Sequence, residues 1–245
     1  MKCLILAAGY ATRLYPLTEN YPKPLLKVRE KTILDWVIDD VDSAGLIDEY
    51  IVISNNRFAC HFEKWASSHR CKITVLNDGT DTNETRLGAV RDIEFAIKAL
   101  DLEDDMLVMA GDNLLDFSLV EFLNYAAEKN APCTMRYYEE NRAKLLKSGI
   151  VTVDGDGLIT RMTEKVPNPE TNWVSIAFYW FPQGTANLVS EALAQGCKAD
   201  APGSFMAWLC KNQKCSAFEM PGHRYDIGDI KSYEQVQKEY RGIVR

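Results

Sequence analysis

The sequence predicts an α/β fold: a mostly parallel sheet with helices packed on both faces. Two observations carry this. Apolar runs of strand length are unbroken rather than alternating, as in strands buried on both sides, and stretches of helical period separate them. The runs are KCLILA (2–7), EYIVIS (49–54), CKITVL (71–76) and DMLVMA (105–110). Between them, TILDWVIDDVDSA (32–44), FACHFEKWASS (58–68) and ETRLGAVRDIEFAIKAL (84–100) each gather apolar residues on one helical face. Strand, helix, strand in that order is the pattern of right-handed crossovers between parallel strands.

The second half is less regular. A helix is expected near 118–129, strands near 133–138, 149–153, 158–163 and 173–181, and helices near 184–195, 203–210 and 230–241. DGDG at 154–157 is a turn signal between two of these strands and predicts a hairpin. No repeat, low-complexity tract or linker interrupts the chain, so one continuous domain over 1–245 is expected.

Composition narrows the function. The 245 residues are 47% hydrophobic and 26% charged, an ordinary globular make-up with apolar mass for a sizeable core. A net charge of −7 argues against a nucleic-acid partner, because that work normally leaves a basic surface. An anionic ligand must then be held by local cations. CLILAAG is too short for a signal peptide core, and nowhere do about 18 apolar residues run together, so a cytoplasmic location without a membrane partner is expected. The seven cysteines include no CxxC pair and read as reduced packing residues.

In open parallel sheets ligands collect where the loops leave the C-terminal ends of the strands. The first such loop lies in LILAAGYATRLYPLTENYPKPLL (4–26). Ala7, Ala8 and Gly9 let the backbone come close to a ligand and point N–H groups at it. Arg13 and Lys23 read either as solvated charges on a Pro-rich loop or as two cations of a phosphate cradle. Neither GxxxxGK[ST] nor GxGxxG is present, which argues against a P-loop NTPase and a nicotinamide enzyme. The loop after the fourth run, AGDNLLDF (110–117), sets Asp112 where it could bind a hard cation or cap the next turn. In HRYDIGDIKSYEQV (223–236), Asp229 sits at a natural N-cap position, whereas Asp226 has no such structural reason.

Taken together, LAAGYATRLYPLTENYPKPLL, AGDN, TEKVPNP (163–169) and YDIGD occur in an order that resembles the nucleoside triphosphate:sugar-1-phosphate nucleotidyltransferases, and they span nearly the whole chain. The motif wording is most similar to the glucose-1-phosphate thymidylyltransferases, with the short phosphocholine cytidylyltransferases similar at the N-terminus and in length. The resemblance implies their Rossmann-like three-layer α/β/α fold with a mixed, mostly parallel central sheet. It also implies Mg²⁺ as cofactor, with a nucleoside triphosphate and a phosphorylated small-molecule acceptor as partners. A monomer or homodimer is expected.

Residue roles follow from the same resemblance. The backbone of Leu6, Ala7, Ala8 and Gly9 would lie against the nucleotide, with Asn77 and Gly88 in the region that reads the base. Arg13 would bind the β- and γ-phosphates, Lys23 the reacting phosphates, and Lys165 the acceptor phosphate. Asp112 and Asp226 would hold Mg²⁺, while Asn113, Gly149, Glu164 and Asn172 would line the acceptor side. Such chemistry needs no strong general base, because the attacking phosphate is already ionised; it needs in-line positioning and charge neutralisation.

Departures from the family pattern leave the substrates open. Ala11 stands where a second Gly is usual, EKV replaces Glu-Lys-Pro, and the base-reading segment NDGTDTNETRLGAVRDI (77–93) is long and polar. SIAFYWF lacks the Gly that many sugar-using relatives carry before the Tyr. Trp173 and Trp180 are candidates either to meet a sugar or choline-like group or to pack in the core. A cytidylyltransferase acting on phosphocholine and a non-catalytic nucleotide-binding regulator are the alternatives. A glycosyltransferase is disfavoured, since Asp40/Asp42 falls on an expected helix and Asp154/Asp156 in a turn.

Overall fold

The computed structural model describes residues 1–244. In chain order its first elements are β1 (Lys2–Leu6), β2 (Lys27–Val28), β3 (Lys31–Thr32), α1 (Ile33–Asp42), β4 (Glu49–Ser54), α2 (Ala59–Ala66) and β5 (Ile73–Asn77). Next come α3 (Ala89–Leu100), β6 (Met106–Ala110), β7 (Leu114–Leu115), α4 (Val120–Lys129), β8 (Cys133–Tyr138) and α5 (Arg142–Leu145). The last are β9 (Gly149–Val153), β10 (Ile159–Glu164), β11 (Trp173–Phe181), α6 (Val189–Ala194), α7 (Gly203–Asn212), β12 (Ser216–Glu219), β13 (Arg224–Tyr225) and α8 (Ile230–Glu239). They form two compact units. The first holds Met1–Arg86, Ala110–Val120 and the segment from Pro221 onward; the second holds Leu87–Met109 and Glu121–Met220.

In the first unit β4 lies between β1 and β5, and both pairings are parallel, with Leu6 opposite Ile53 and Ser54 opposite Asn77. The three strands therefore end side by side. The chain is held as it leaves them: Ala7 N–H donates to the Ile53 carbonyl, Asp78 N–H to that of Ser54, and Gly111 N–H to that of Leu6, all within 3.0 Å. β4 is buried along its whole length, as its unbroken apolar run requires. Helix α1 starts in a capping box, in which Thr32 and Asp35 each accept from the other's backbone N–H. Asp35 also accepts from the Trp65 indole at 2.7 Å, which ties α2 to α1. A second apolar cluster gathers Leu14, Leu26, Val28, Ile33, Leu114, Ile227, Val236 and Tyr240, so residues far apart in sequence share one core.

The second unit is built around β11, which pairs antiparallel with β6, β8 and β9, while β12 adds to β8 in parallel. β9 and β10 form the expected hairpin across the 154–157 turn. The α/β class with a mixed sheet thus holds. The main departure is at 84–100, where helical period continues but the helix begins only at Ala89. Gly88 adopts φ +93°, a left-handed backbone that ends the loop 78–88 and starts α3. The helix expected at 184–195 is a short 3₁₀ turn followed by α6. The two-residue strands β7 and β13, too short to carry a period, were not anticipated.

Candidate functional site

Within the first unit the candidate groups converge on the ends of β1, β4 and β5. Gly9 is exposed, and a Cβ there would meet no atom within 4 Å, so its backbone faces open space. The Ala8 carbonyl is fixed by the fully buried Asn55, whose amide donates to it at 2.9 Å while its Oδ1 accepts from Phe58 N–H. Asn55 escaped the sequence reading; its signal was a polar pair directly after a buried strand. Ala11, in the place of the usual glycine, adopts φ 46°, and its carbonyl accepts from the Thr18 hydroxyl at 2.8 Å. Arg13 is exposed on the 3₁₀ turn Thr12–Leu14.

Lys23 is buried on a second 3₁₀ turn, flanked by Pro22 and Pro24, which fix the backbone on either side of it. Its ammonium donates to Asp112 Oδ2 at 2.7 Å. Partial burial pushes the Asp112 carboxyl up. The charge and hydrogen bond of Lys23 and the charge of Arg224 outweigh that and hold it below the usual carboxylate range. Gly111, before Asp112, has no room for a side chain without shifting Ile5 and Pro24.

β13 pairs antiparallel with β7, Arg224 opposite Leu115 and Tyr225 opposite Leu114. The chain past Tyr225 therefore runs back along the residues before Leu114 and carries Asp226 alongside Asn113 and Asp112. Arg224, unforeseen from sequence although it lies in HRYD, donates to Asn113 Oδ1 at 3.1 Å and stands 4.0 Å from Asp226. Asp229 caps α8 as expected. Asn113 is buried, and its amide also reaches the Ala110 carbonyl, so its side chain braces the loop rather than facing a ligand. Asn77 is similarly engaged: its Oδ1 accepts from Gly79 N–H and its amide donates to Asn56.

In the second unit Glu164 ends β10 with its carboxylate between two glycines. A Cβ on Gly149 would lie 2.8 Å from Glu164 Oε2, and one on Gly203, the first residue of α7, 2.2 Å from it. A side chain at either position would have to displace the Glu164 carboxylate. Burial pushes the Glu164 carboxyl up to about 7; the Lys165 charge opposes this and the Asp200 charge adds to it. Gly203 was not singled out from sequence. Lys165 adopts φ 50° and donates to Asp200 Oδ2 at 3.2 Å. Gly88 packs against the backbone at Ala199 and Asp200. The Asn172 amide donates to the Glu139 carbonyl, and Glu139 N–H to that of Asn172, a clasp that anchors the start of β11. Trp180 is a core residue, and the ring of Trp173 lies under the Arg136 guanidinium at 4.2 Å.

Among the described residues no group of three or more His, Cys, Asp or Glu is gathered that could hold a metal unaided. Magnesium does not need one. It is usually bound through one or two carboxylates, with water and substrate phosphate completing an octahedron. An ionised Asp112 with Asp226 beside its loop has that donor chemistry.

The first unit is thus a parallel α/β sheet whose strand ends carry an exposed glycine, two loop cations and the carboxylates of Asp112 and Asp226. The chain belongs to the nucleotidyl transferase family, whose sequence model matches residues 2–242. It is 25% identical over 228 residues to the bifunctional protein GlmU of Methanocaldococcus jannaschii, covering 93% of this chain and 51% of that protein. It is 25% identical over 254 residues to a glucose-1-phosphate adenylyltransferase of Fervidobacterium nodosum, covering 96% and 60%. The chain thus spans about half to three-fifths of the length of these relatives. A crystal structure of UDP-glucose pyrophosphorylase complexed with UDP-glucose shares the fold, with a TM-score of 0.80 at 19% identity and 97% of each chain covered. Among the described residues no helix is long and apolar enough to cross a membrane.

Proposed function

We propose that this protein is a Mg²⁺-dependent nucleotidyltransferase that joins a nucleoside triphosphate to a sugar 1-phosphate, giving a nucleoside diphosphate sugar and pyrophosphate. The observation that carries the reading is the Lys23–Asp112 pair at the mouth of the parallel strands, beside Asp226, in a member of this family. The acceptor phosphate oxygen attacks the α-phosphorus, the bond to the bridging oxygen of pyrophosphate breaks, and the electron pair leaves with pyrophosphate. The reactants are both polyanions, so the work of the protein is to neutralise and align them. Bound Mg²⁺ would supply charge neutralisation at the nucleotide phosphates, held by Asp112 and Asp226.

Each residue has a part. The backbone of Leu6 to Gly9 accommodates the nucleotide, and Asn77 and Gly88 shape the base side. Arg13 offsets charge on the β- and γ-phosphates and the departing pyrophosphate, and Lys23 on the reacting phosphates. Lys165 grips the acceptor phosphate. Glu164, lined by Gly149, accepts hydrogen bonds from acceptor hydroxyls, and Asn113 and Asn172 brace their loops from behind. A sugar is favoured over choline because neither tryptophan that could ring a quaternary ammonium is free to do so: Trp180 is in the core and Trp173 is covered by Arg136.

The test is pyrophosphate release measured over a matrix of UTP, dTTP, CTP and GTP against hexose 1-phosphates and phosphocholine, with and without Mg²⁺. Turnover restricted to a sugar 1-phosphate and dependent on Mg²⁺ is expected. Nucleotide binding without pyrophosphate from any pair would make the protein a regulator instead, and turnover of phosphocholine alone would make it a cytidylyltransferase of the non-sugar kind.

A further inference from the structure

Lys165 is held in a manner that its contribution to stability does not explain. Its φ of 50° is left-handed, a strained conformation for a non-glycine residue. Its N–H donates to the Ser148 carbonyl at 3.1 Å, and its ammonium to Asp200 Oδ2 at 3.2 Å. The two side chains of that ion pair are 45% and 57% exposed, and pairs so exposed add little to stability. The backbone beneath Asp200 is fixed more firmly than the pair itself. The Ala199 carbonyl accepts from Val90 N–H at 2.9 Å, and Gly88 leaves so little space that a Cβ there would lie 2.7 Å from the Ala199 oxygen and 3.3 Å from Asp200 Cα. A bend carrying a carboxylate is thus fastened to the start of α3, and the carboxylate faces a lysine in a strained conformation.

We propose that Asp200 is a positioning residue that aims the Lys165 ammonium at the acceptor phosphate, and that the contact of Gly88 with Ala199 links this aim to the segment entering α3. The proposal rests on the reading that Lys165 grips that phosphate. A free lysine side chain gives up rotamer freedom when it is held in one place. A carboxylate accepting one of its N–H groups absorbs that ordering beforehand and leaves the remaining donors for phosphate. The same carboxylate repels an incoming phosphate dianion, so Asp200 cannot act by strengthening ground-state binding. Its benefit must appear in the alignment of the reacting phosphate, and therefore in kcat and not in KM.

Steady-state kinetics of Asp200→Asn and Asp200→Glu test this, together with NMR of the full-length protein carrying reductively ¹³C-methylated lysines, in which Lys165→Arg identifies the Lys165 signal. Asp200→Asn is expected to lower kcat about tenfold while the acceptor KM stays level or falls and the nucleotide KM is unchanged. Asp200→Glu should recover part of the loss. In the wild type the Lys165 signal should stand apart from those of exposed lysines, and in Asp200→Asn it should merge with them. A lower acceptor KM with kcat intact would overturn the proposal and make Asp200 a competitor of phosphate. A Lys165 signal unmoved by Asp200→Asn would overturn it without reference to turnover. If the wild-type protein releases no pyrophosphate with any acceptor while the Lys165 signal does respond to Asp200→Asn, the functional reading fails and the proposal falls with it.

Discussion

Two carboxylates, one in each unit, are treated in opposite ways. Asp112 stands beside the Lys23 ammonium and is held ionised. Glu164 lies between Gly149 and Gly203 and is pushed up to about 7, mainly by burial. The same functional group therefore has two aptitudes set by its surroundings. A carboxylate kept charged by a flanking cation is prepared to exchange that cation for a metal. One kept close to neutrality by burial suits neutral hydroxyl donors and resists cations. Under the proposed function the first would meet a metal-bound nucleotide, and the second the hydroxyl groups of the acceptor.

The largest expected effect breaks the first half of this contrast. Asp112→Asn and Asp226→Asn should each lower Mg²⁺-dependent turnover on the order of a hundredfold, about 3 kcal/mol of transition-state stabilisation. Circular dichroism and the thermal midpoint should stay close to those of the wild type, because Asp226 is exposed and Asp112 only partly covered. Wild-type turnover in either variant would remove that residue from the metal site.

Glu164→Gln addresses the second half and has a sign that can be worked out. A carboxyl raised in the folded state binds its proton more tightly there than in the unfolded chain. Folding stability is then fully present below the unfolded value near 4.5 and declines as pH rises through about 7. Glutamine does not titrate, so the variant should match the wild type near pH 5 and exceed it near pH 8 by roughly 2 kcal/mol in urea unfolding. The acceptor KM should rise about tenfold at the same time. Equal pH dependence of stability in the two proteins would show that Glu164 is better solvated than its glycine cradle implies.

The two regions also differed in how much their sequence disclosed. β1, β4 and β6 were located within about a residue because strands buried on both faces need unbroken apolar runs, and burial of that kind leaves little choice of residue. Lys23, Asp112 and Asp226 stood out as candidates because they are charges placed among prolines and glycines in loops. The second unit was harder to read. Gly203 resembles any glycine before a helix, and only the position of the Glu164 carboxylate, where a Cβ on Gly203 would lie, reveals its use. Asp200 lies in a polar loop without period, 35 residues from Lys165, and no spacing rule joins them. The amides of Asn77, Asn113 and Asn172 illustrate the converse: side chains that could have met a ligand are engaged by the protein's own backbone and side chains.

Asp35 extends the contrast to a purely structural carboxylate of the first unit. Partial burial pushes it up, but hydrogen bonds from the Trp65 indole and Thr32, with the charge of His69, bring it below the usual range. A carboxyl lowered in the folded state contributes stability that is present above its unfolded value near 3.8 and is lost as pH falls through the folded value. Asp35→Ala should therefore cost about 1–2 kcal/mol at neutral pH, through the lost cap and the unpaired indole, and much less below pH 3. Urea midpoints across pH 2.5–7 read this directly. A loss that persists undiminished in acid would mean that packing around Trp65, not the charge, is what Asp35 provides.

The smallest effect lies at Ala11, where the family pattern expects glycine. Its φ of 46° and ψ of 42° are left-handed, which costs an alanine roughly 1 kcal/mol that a glycine does not incur. Glycine brings its own penalty, since the unfolded chain gains conformational freedom that folding must remove, typically 0.4–1 kcal/mol. The two oppose each other, so Ala11→Gly should change stability by no more than about 0.5 kcal/mol in either direction. Its effect should instead be local. The Thr18 hydroxyl holds the Ala11 carbonyl, and with glycine the backbone between Gly9 and Arg13 can leave that geometry more easily. Amide exchange at residues 10–14 is expected to quicken in Ala11→Gly while global stability holds. Unchanged exchange there would show that the hydrogen bond from Thr18, and not the methyl group of Ala11, sets the shape of the loop after β1.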